Sequence, residues 1–78
     1  MDLGKFYDKN VKIEDINDNI ITGYVFDYDE GDEEDEDSEY FNVPYLLIED
    51  IVVIKGKDYY DGCKSLFDEN NIKKIEII

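Results

Sequence analysis

The sequence predicts an all-β domain built from five short antiparallel strands. Eleven isoleucines and seven tyrosines favour strands, because β-branched and aromatic side chains pack well on a pleated surface. Several segments alternate apolar and polar residues with a period of two, and clusters of Asn, Asp and Gly separate them. The length of 78 residues suits one domain over residues 1–78, and an apolar content of 42% is ample for a compact core.

A short helical turn is predicted at the N-terminus, over residues 1–8. Its apolar side chains, Leu3, Phe6 and Tyr7, would face inward. A helical segment of this length is too short to be stable alone, so it must dock on the strands.

A β-hairpin is predicted next, formed by Val11–Ile16 and Ile20–Asp29. The first of these segments begins with alternating apolar and polar residues, which is a strand signal. Residues 17–19 supply the turn, because Asn and Asp tolerate left-handed backbone and cap turns with their side chains. Gly23 in the second strand predicts a bulge or sharp bend, as small barrels need where a strand turns a corner.

The remaining strands are predicted in the second half of the chain. Residues 44–50 favour a brief helical turn with Pro44 at its start, and extended chain is the alternative. Asp50–Lys55 is an apolar, β-branched run that is typical of a buried central strand. The last two strands are Cys63–Asp68 and Ile72–Ile78, with turns at 57–62 and 69–71. Closure of these strands into a small barrel would remove exposed sheet edges.

The most unusual segment is an acidic run between the second and third strands. Ten of the thirteen residues from Asp27 to Glu39 are Asp or Glu, and no lysine interrupts them. The chain carries 22 acids, 8 lysines and a net charge of −14, so removing these ten leaves twelve acids and about −4 elsewhere. The charge is therefore concentrated at one place, in a long acidic loop over about residues 29–42.

This charge distribution excludes several classes of function. An acidic surface repels phosphate and anionic lipid and attracts basic protein surfaces. The chain has no Arg, so bidentate guanidinium contacts to phosphates and bases are absent, and direct nucleic-acid binding is not expected. It also has no His, which excludes Ser/His and Cys/His catalytic pairs. We expect no enzymatic activity and no cofactor.

A dedicated metal site is not expected in the acidic run either. An EF-hand calcium loop needs oxygen ligands at positions 1, 3 and 5, Gly at position 6 and Glu at position 12. A loop that starts at Asp27 has Asp32 at position 6 and Ser38 at position 12, and one that starts at Asp32 has Asp37 at position 6. Weak divalent binding, as in any carboxylate cluster, stays open.

The single cysteine, Cys63, excludes an intrachain disulfide and indicates a reducing compartment. It has no histidine base, and Asp61, two residues before it, would disfavour the thiolate, so it suits a buried or half-buried strand residue better than a nucleophile. No stretch is long and apolar enough to cross a membrane, and no signal peptide is evident. These features favour a cytoplasmic protein without a membrane partner.

Two stretches resemble the Sm-like proteins. Residues 11–28 are similar to the first Sm motif, in which a strand, a polar turn and a hydrophobic-x-Gly-x-hydrophobic strand lead to an Asp; Gly23 and Asp27 match these positions. Residues 66–78 resemble the last two strands of small bacterial Sm-like proteins. The resemblance implies a short N-terminal helix and a bent five-stranded barrel, and many members form RNA-binding rings. Here the acidic run replaces the loop that would contact RNA, and Lys55 stands where the second motif has Arg.

The preferred interpretation is a binding module whose acidic loop docks on a basic protein surface. It would act as a nucleic-acid mimic that inhibits a nucleic-acid-binding protein, since phage inhibitors of host nucleases, including anti-CRISPR proteins, are similar in size and charge. One alternative is an Sm-like ring subunit associated with RNA or a ribonucleoprotein, and another is a disordered loop that only keeps the protein soluble. Self-association is left open, although the net charge opposes it at low salt. The predicted partner-binding residues are Asp27, Asp29, Glu30, Asp32, Glu33, Glu34, Asp35, Glu36, Asp37 and Glu39, with the aromatic residues Tyr28, Tyr40, Phe41 and Tyr45.

Overall fold

Within residues 2–78, which the computed structural model describes, the chain forms one sheet and one short 3-10 helix. The helix is Leu3–Phe6, and the strands are β1 Asn10–Asp15, β2 Ile20–Asp29, β3 Tyr45–Lys55, β4 Ser65–Asp68 and β5 Ile72–Ile77. The strand order is β4-β3-β2-β1-β5, and every neighbouring pair is antiparallel. The predicted all-β class with five antiparallel strands is confirmed.

The sheet is not closed into the predicted barrel. β4 and β5 are its two edges, and within residues 2–78 no ladder joins them. β4 has only four residues, and it pairs with Tyr45–Ile48 of β3. Beyond the next turn, the Ile16 N–H donates to the Asn71 carbonyl at 3.0 Å, and Ile72 pairs with Asp15. The chain that leaves β4 therefore docks on β1, which places β5 beside β1 and not beside β4.

β2 and β3 are long strands that carry bulges. The first half of β2 pairs with β1 and β3, whereas its second half pairs only with β3. A register shift between Thr22 and Tyr24 leaves Gly23 of β2 opposite two residues of β3, Asp50 and Ile51, so the extra residue of this bulge lies in β3. A Cβ on Gly23 would lie 2.4 Å from Cγ2 of Ile48 and 3.0 Å from the Glu49 carbonyl oxygen. Gly23 therefore allows the bulged part of β3 to approach closely. The pairing is irregular at Gly23, as predicted, but the extra residue lies in β3 and not in β2.

β3 begins at Tyr45, so the helical turn predicted for residues 44–50 is wrong. The chain adopts the extended alternative, with Leu46 and Ile48 buried and their neighbours half-buried. Tertiary pairing explains the difference, because this segment is hydrogen-bonded to β2 on one side and to β4 on the other. Pro44 lies just before the strand, where its missing N–H breaks no ladder bond.

One apolar core joins the helix and all five strands. Leu3 and Phe6 are buried as predicted, but Tyr7 is 48% exposed, because the chain becomes extended at Tyr7 and carries its side chain away from the core. Met1, the first residue of the predicted turn, lies outside the described residues. Cys63 is buried, as predicted, but it lies before β4 and not in the strand, which begins at Ser65. The other buried apolar residues are Val11, Ile13, Ile21, Val25, Leu46, Ile48, Ile51, Phe67 and Ile72.

A buried carboxylate, that of Asp15, organises the end of the sheet opposite the acidic run. Asp15 is 1% exposed, and one of its oxygens accepts from the backbone N–H groups of Asn17 and Asn19, both at 2.9 Å. Its other oxygen accepts from the Asn19 side-chain amide at 2.9 Å and from the Tyr59 hydroxyl at 3.4 Å. These four donors compensate the loss of hydration that burial of a carboxylate entails.

Asn19 connects this carboxylate to the chain between β3 and β4. It is 3% exposed, and its amide also donates to the Asp58 carboxylate at 2.6 Å. The Asp58 N–H donates back to the Asn19 carbonyl oxygen at 3.4 Å. Gly56, with φ of 108°, packs so closely that a Cβ there would lie 1.9 Å from the same oxygen. The β1–β2 turn and the β3–β4 connection are therefore held as one unit.

Replacement of Gly23 by Ala should lower the free energy of unfolding by about 1–3 kcal/mol, because the added methyl group would overlap Ile48 and push β3 away. Chemical denaturation would measure the loss. Gly4→Ala is the matched control, since its new methyl group would meet neighbours at an ordinary 3.4 Å and should cost less than about 1 kcal/mol. Equal stability of the two variants would contradict the close approach at Gly23.

Tyr59→Phe should reduce stability by about 0.5–1.5 kcal/mol at neutral pH, because the phenyl ring keeps the packing but cannot donate to Asp15. Burial raises the pKa of Tyr59, and the charge of Asp15 raises it further, whereas a hydrogen bond with Asn71 lowers it. The folded chain then keeps this proton where the unfolded chain has lost it, so the wild type loses stability as pH rises above the ordinary value of 10.0. Denaturation between about pH 9 and pH 11 should show the gap between the two proteins narrowing. A gap that stays constant would contradict the raised pKa.

Candidate functional site: the acidic linker

The acidic residues lie at the point where β2 leads into β3. β2 ends at Asp29 and β3 begins at Tyr45, and we call the connecting residues 30–44 the acidic linker. Asp27 and Asp29 lie at the end of β2, and the other eight acids of the run lie in the linker. All ten side chains are exposed. Within the described part of the chain, none of them forms an ion pair with a lysine. The ion pairs there join Lys64 to Glu49, and Lys73 to Glu14 and Asp18.

The linker folds back on itself through backbone hydrogen bonds. The Asp32 N–H donates to the Tyr40 carbonyl, and the Asn42 N–H donates to the Asp32 carbonyl, both at 3.0 Å. The pair forms a short parallel bridge between Asp32 and Phe41. The Val43 N–H donates to the Tyr40 carbonyl, also at 3.0 Å. The linker is therefore a compact loop whose two arms are joined near its base, unlike a fully extended excursion.

Gly31 makes the junction of the two arms possible. Its φ of 96° lies in the region that favours glycine, and a Cβ there would lie 2.6 Å from the Val43 nitrogen and 2.8 Å from the Tyr40 carbonyl oxygen. The Gly31 N–H donates to the Asp29 carboxylate at 2.8 Å, which fixes the exit from β2. A residue with a side chain at this position would force the arms apart.

Ser38 closes the tip of the loop. Its hydroxyl donates to the Asp32 carboxylate and accepts from the Tyr40 N–H at 3.2 Å. Its own N–H donates to the Asp35 carbonyl at 3.0 Å, and the Asp35 carboxylate accepts from the Asp37 N–H at 3.1 Å. Three carboxylates of the run, those of Asp29, Asp32 and Asp35, thus accept hydrogen bonds from the loop itself. These contacts offset part of the repulsion among like charges.

The aromatic residues predicted to flank the acids lie at the base of the loop. Tyr28, Tyr40, Phe41 and Tyr45 are all half-buried. The rings of Tyr40 and Tyr45 pack with centroids 5.1 Å apart, at an interplanar angle of 50°. Burial and neighbouring carboxylates raise the pKa of Tyr28, Tyr40 and Tyr45, so their phenols stay neutral and keep a proton to donate.

The exit from β2 and the first arm of the linker line a wide, open concavity of about 830 Å³. Its wall is one continuous stretch, residues 28–35, which carries six carboxylates and the ring of Tyr28. This surface combines one half-buried tyrosine with surrounding negative charge, an arrangement that suits cationic side chains. Among residues 2–78, no group of three or more His, Cys, Asp or Glu side chains has the geometry to hold a metal ion.

The structure brings together all fourteen predicted site residues in one segment of the fold, the end of β2, the linker and the start of β3. Sequence reasoning did not assign Gly31, Ser38 and Asn42, which shape the loop. Gly31 is the one glycine among the thirteen residues of the run, and Ser38 is the one serine or threonine. Their residue types could therefore have marked them as residues that shape the loop. Asn42 has a φ of 53°, which asparagine tolerates better than most residues.

No protein-family model, curated protein sequence or solved structure matches the chain. The Sm-like resemblance therefore depends on residues 11–28 and 66–78 alone and stays a prediction. No helix in the described residues is long and apolar enough to span a membrane.

Gly31→Ala should open the linker while leaving the core intact, because the new methyl group would collide with the backbone of Tyr40 and Val43. We expect faster amide hydrogen exchange at Asp32, Asn42 and Val43 and a change in global stability below about 1 kcal/mol. Ser38→Ala should accelerate exchange at Tyr40 without moving Gly31. Unchanged exchange in both variants would contradict the folded loop.

Proposed function

We propose that this chain is a non-enzymatic binding module whose acidic linker docks on a basic protein surface. One observation carries the proposal: ten exposed carboxylates, none paired with a lysine within residues 2–78, are displayed on a loop that is joined at its base. Charges that stabilised the fold would be expected to sit beside lysines, as Glu14 and Glu49 do. The unpaired set is available to a partner.

The carboxylates resemble a nucleic-acid backbone in charge density. Duplex DNA carries about one charge per 1.7 Å of its axis, and ten charges on so short a loop approach this value. A basic groove that binds phosphates would attract the loop from a distance, with fast association that weakens as salt is added. The target class is therefore a nucleic-acid-binding protein, and the effect is inhibition by mimicry, of the kind found in phage-encoded and anti-CRISPR inhibitors.

The half-buried aromatic residues would supply the anchoring contacts. Charge alone gives steering and on-rate, whereas affinity in protein interfaces comes mainly from a few well-packed aromatic groups. Tyr28 lies in the wall of the acidic concavity, and Tyr40 and Tyr45 pack together at the base of the loop. Tyr28 and Tyr45 belong to β2 and β3, and Tyr40 packs on Tyr45, so a partner would not have to order them. We place this single domain of residues 1–78 in the cytoplasm.

A second candidate is an Sm-like ring subunit associated with RNA or a ribonucleoprotein. The observation that favours it is the open sheet, in which β4 and β5 leave two unpaired edges on one chain. Two different edges can join head to tail from copy to copy, which generates a ring when the rotation closes. The acidic linker opposes the RNA part of this candidate, since it repels phosphates.

Neutralising five glutamates of the linker tests the proposal without disturbing the loop. The changes are Glu→Gln at Glu30, Glu33, Glu34, Glu36 and Glu39, whose side chains make no hydrogen bond within the loop. We expect capture of basic proteins from a cell lysate to fall at least about tenfold at low salt, because five charges leave the contact surface. Excess duplex DNA should compete for the same proteins with the wild-type chain.

A control with the same change in net charge separates the site from bulk charge. It replaces Asp8, Asp18, Glu49, Asp50 and Asp61 by their amides, all outside the linker. This variant should keep the captured proteins. An equal loss of captured proteins in both variants would contradict the mimicry proposal. Captured proteins that neither salt nor duplex DNA releases would also contradict it. RNA capture that survives neutralisation of the linker would favour the ring subunit.

A further inference from the structure

One face of the sheet is not used by the core or by the acidic linker. It consists of the outward side chains of β5, β1, the first half of β2 and the second half of β3, and we call it the outer face. Val11, Ile13 and Ile21 are buried, so the residues that alternate with them point to the opposite side. Val52 and Ile54 on β3 are 53% and 55% exposed on this side.

The outer face carries a quartet of charges in a checkerboard. Lys12 of β1 lies opposite Glu76 of β5, and Glu14 lies opposite Lys74. Each pair thus has opposite charges across the strands, and the sign also alternates along each strand. These four side chains and Ile20 line one shallow depression of about 110 Å³, so they share a surface. Lys73 lies beside the quartet, 3.7 Å from Glu14 and from Asp18.

An apolar strip continues the same face on the other side of β1. Ile20 and Thr22 of β2 follow the quartet in the strand order, opposite Glu14 and Lys12. Val52 lies opposite Thr22, and Ile54, which is 55% exposed, lies two residues further along β3, at the register shift between Ile20 and Ile21. Exposed β-branched residues on adjacent strands make an apolar surface of a kind that sheets bury against other sheets.

We propose that a second copy of this chain covers the outer face, in a face-to-face dimer. The two-fold axis lies between the two sheets and runs perpendicular to the strands. The axis passes between the level of Lys12 and that of Glu14, so each strand lies antiparallel over its own copy. Lys12 then meets the partner subunit's Glu14, and Glu76 meets the partner subunit's Lys74. Ile54 meets the partner subunit's Val52 in the same operation. This one rotation therefore brings opposite charges together across the checkerboard and apolar side chains together across the strip.

The same axis solves the charge problem of a chain with net charge −14. The linker leaves β2 at its C-terminal end, whereas the outer face uses the N-terminal half of β2. Rotation about an axis perpendicular to the strands sends the two linkers to opposite ends of the dimer. An axis parallel to the strands would place both linkers at one end and would set the apolar strip against the charge quartet.

Sedimentation equilibrium of the wild-type chain is the first test. We expect a monomer–dimer equilibrium that shifts toward dimer between about 0.05 M and about 0.5 M salt, since screening reduces the repulsion between two chains that each carry a net charge of −14. This direction is opposite to that of the linker's binding to a basic partner, so the two proposals fail separately. A chain that stays monomeric up to about 1 mM at the higher salt would overturn the dimer.

A charge-segregated pair tests the quartet. The variant E14K/E76K carries four lysines on the outer face, and K12E/K74E carries four glutamates. Each should self-associate at least about tenfold more weakly than the wild type, and an equimolar mixture should form a heterodimer. Circular dichroism would show that both are folded. Folded variants that dimerise as the wild type does, or a mixture that stays monomeric, would overturn the proposal.

The apolar strip gives a test that keeps every charge. V52T/I54T retains the β-branched shape but removes apolar surface, and it should weaken the dimer at least about tenfold. Ile77→Thr is the matched control, because Ile77 lies opposite Val11 on the other side of β5 and is 52% exposed. Its dimer should be unchanged. Assemblies larger than a dimer that resist V52T/I54T would overturn the face-to-face dimer and indicate pairing through the edges of β4 and β5.

Discussion

The buried carboxylate of Asp15 is the interaction on which the arrangement of the strands depends. It holds the β1–β2 turn through two backbone N–H groups and reaches the β3–β4 connection through Asn19 and Tyr59. The Ile16 N–H, one residue further, binds the turn that leads into β5. Three connections that are far apart in sequence therefore meet at one end of the sheet. With that end fixed, β2 and β3 pair along their length as far as the acidic linker, with bulges at three places.

The two ends of the molecule treat charge in opposite ways. At the Asp15 end, a single carboxylate is buried and surrounded by four donors. At the linker end, ten carboxylates stay in water, and only those that shape the loop accept hydrogen bonds within it. Water and salt screen the repulsion among the ten exposed carboxylates, whereas the same density of charge inside the sheet would unfold the protein. The fold can therefore carry dense charge only where strand pairing has already ended.

The sequence allowed the five-stranded all-β class, irregular pairing at Gly23 and the burial of Cys63 to be predicted, because each follows from local composition or spacing. It did not allow the extended start of β3 to be predicted, since Pro44 is an equally good signal for a helical turn and the decision comes from pairing with β2 and β4. Barrel closure was expected from the need to remove edges, but the path of the chain after β4 is set by a contact between Ile16 and Asn71. The acids of the site were evident from composition. The hydrogen bonds that Gly31 and Ser38 make across the loop depend on the fold of the linker.

The joined base of the linker decides what kind of partner the acids suit. A disordered tail with the same ten charges would lose its conformational freedom on binding, and it would adapt to many basic surfaces. Here Gly31 and the Asp32–Phe41 bridge hold the two arms together, and β2 and β3 fix where the loop points. Part of the ordering cost is thus met during folding, which favours a partner whose positive charges have a matching spacing. Selectivity among basic proteins then follows from the shape of the loop, and its charge sets the speed of encounter.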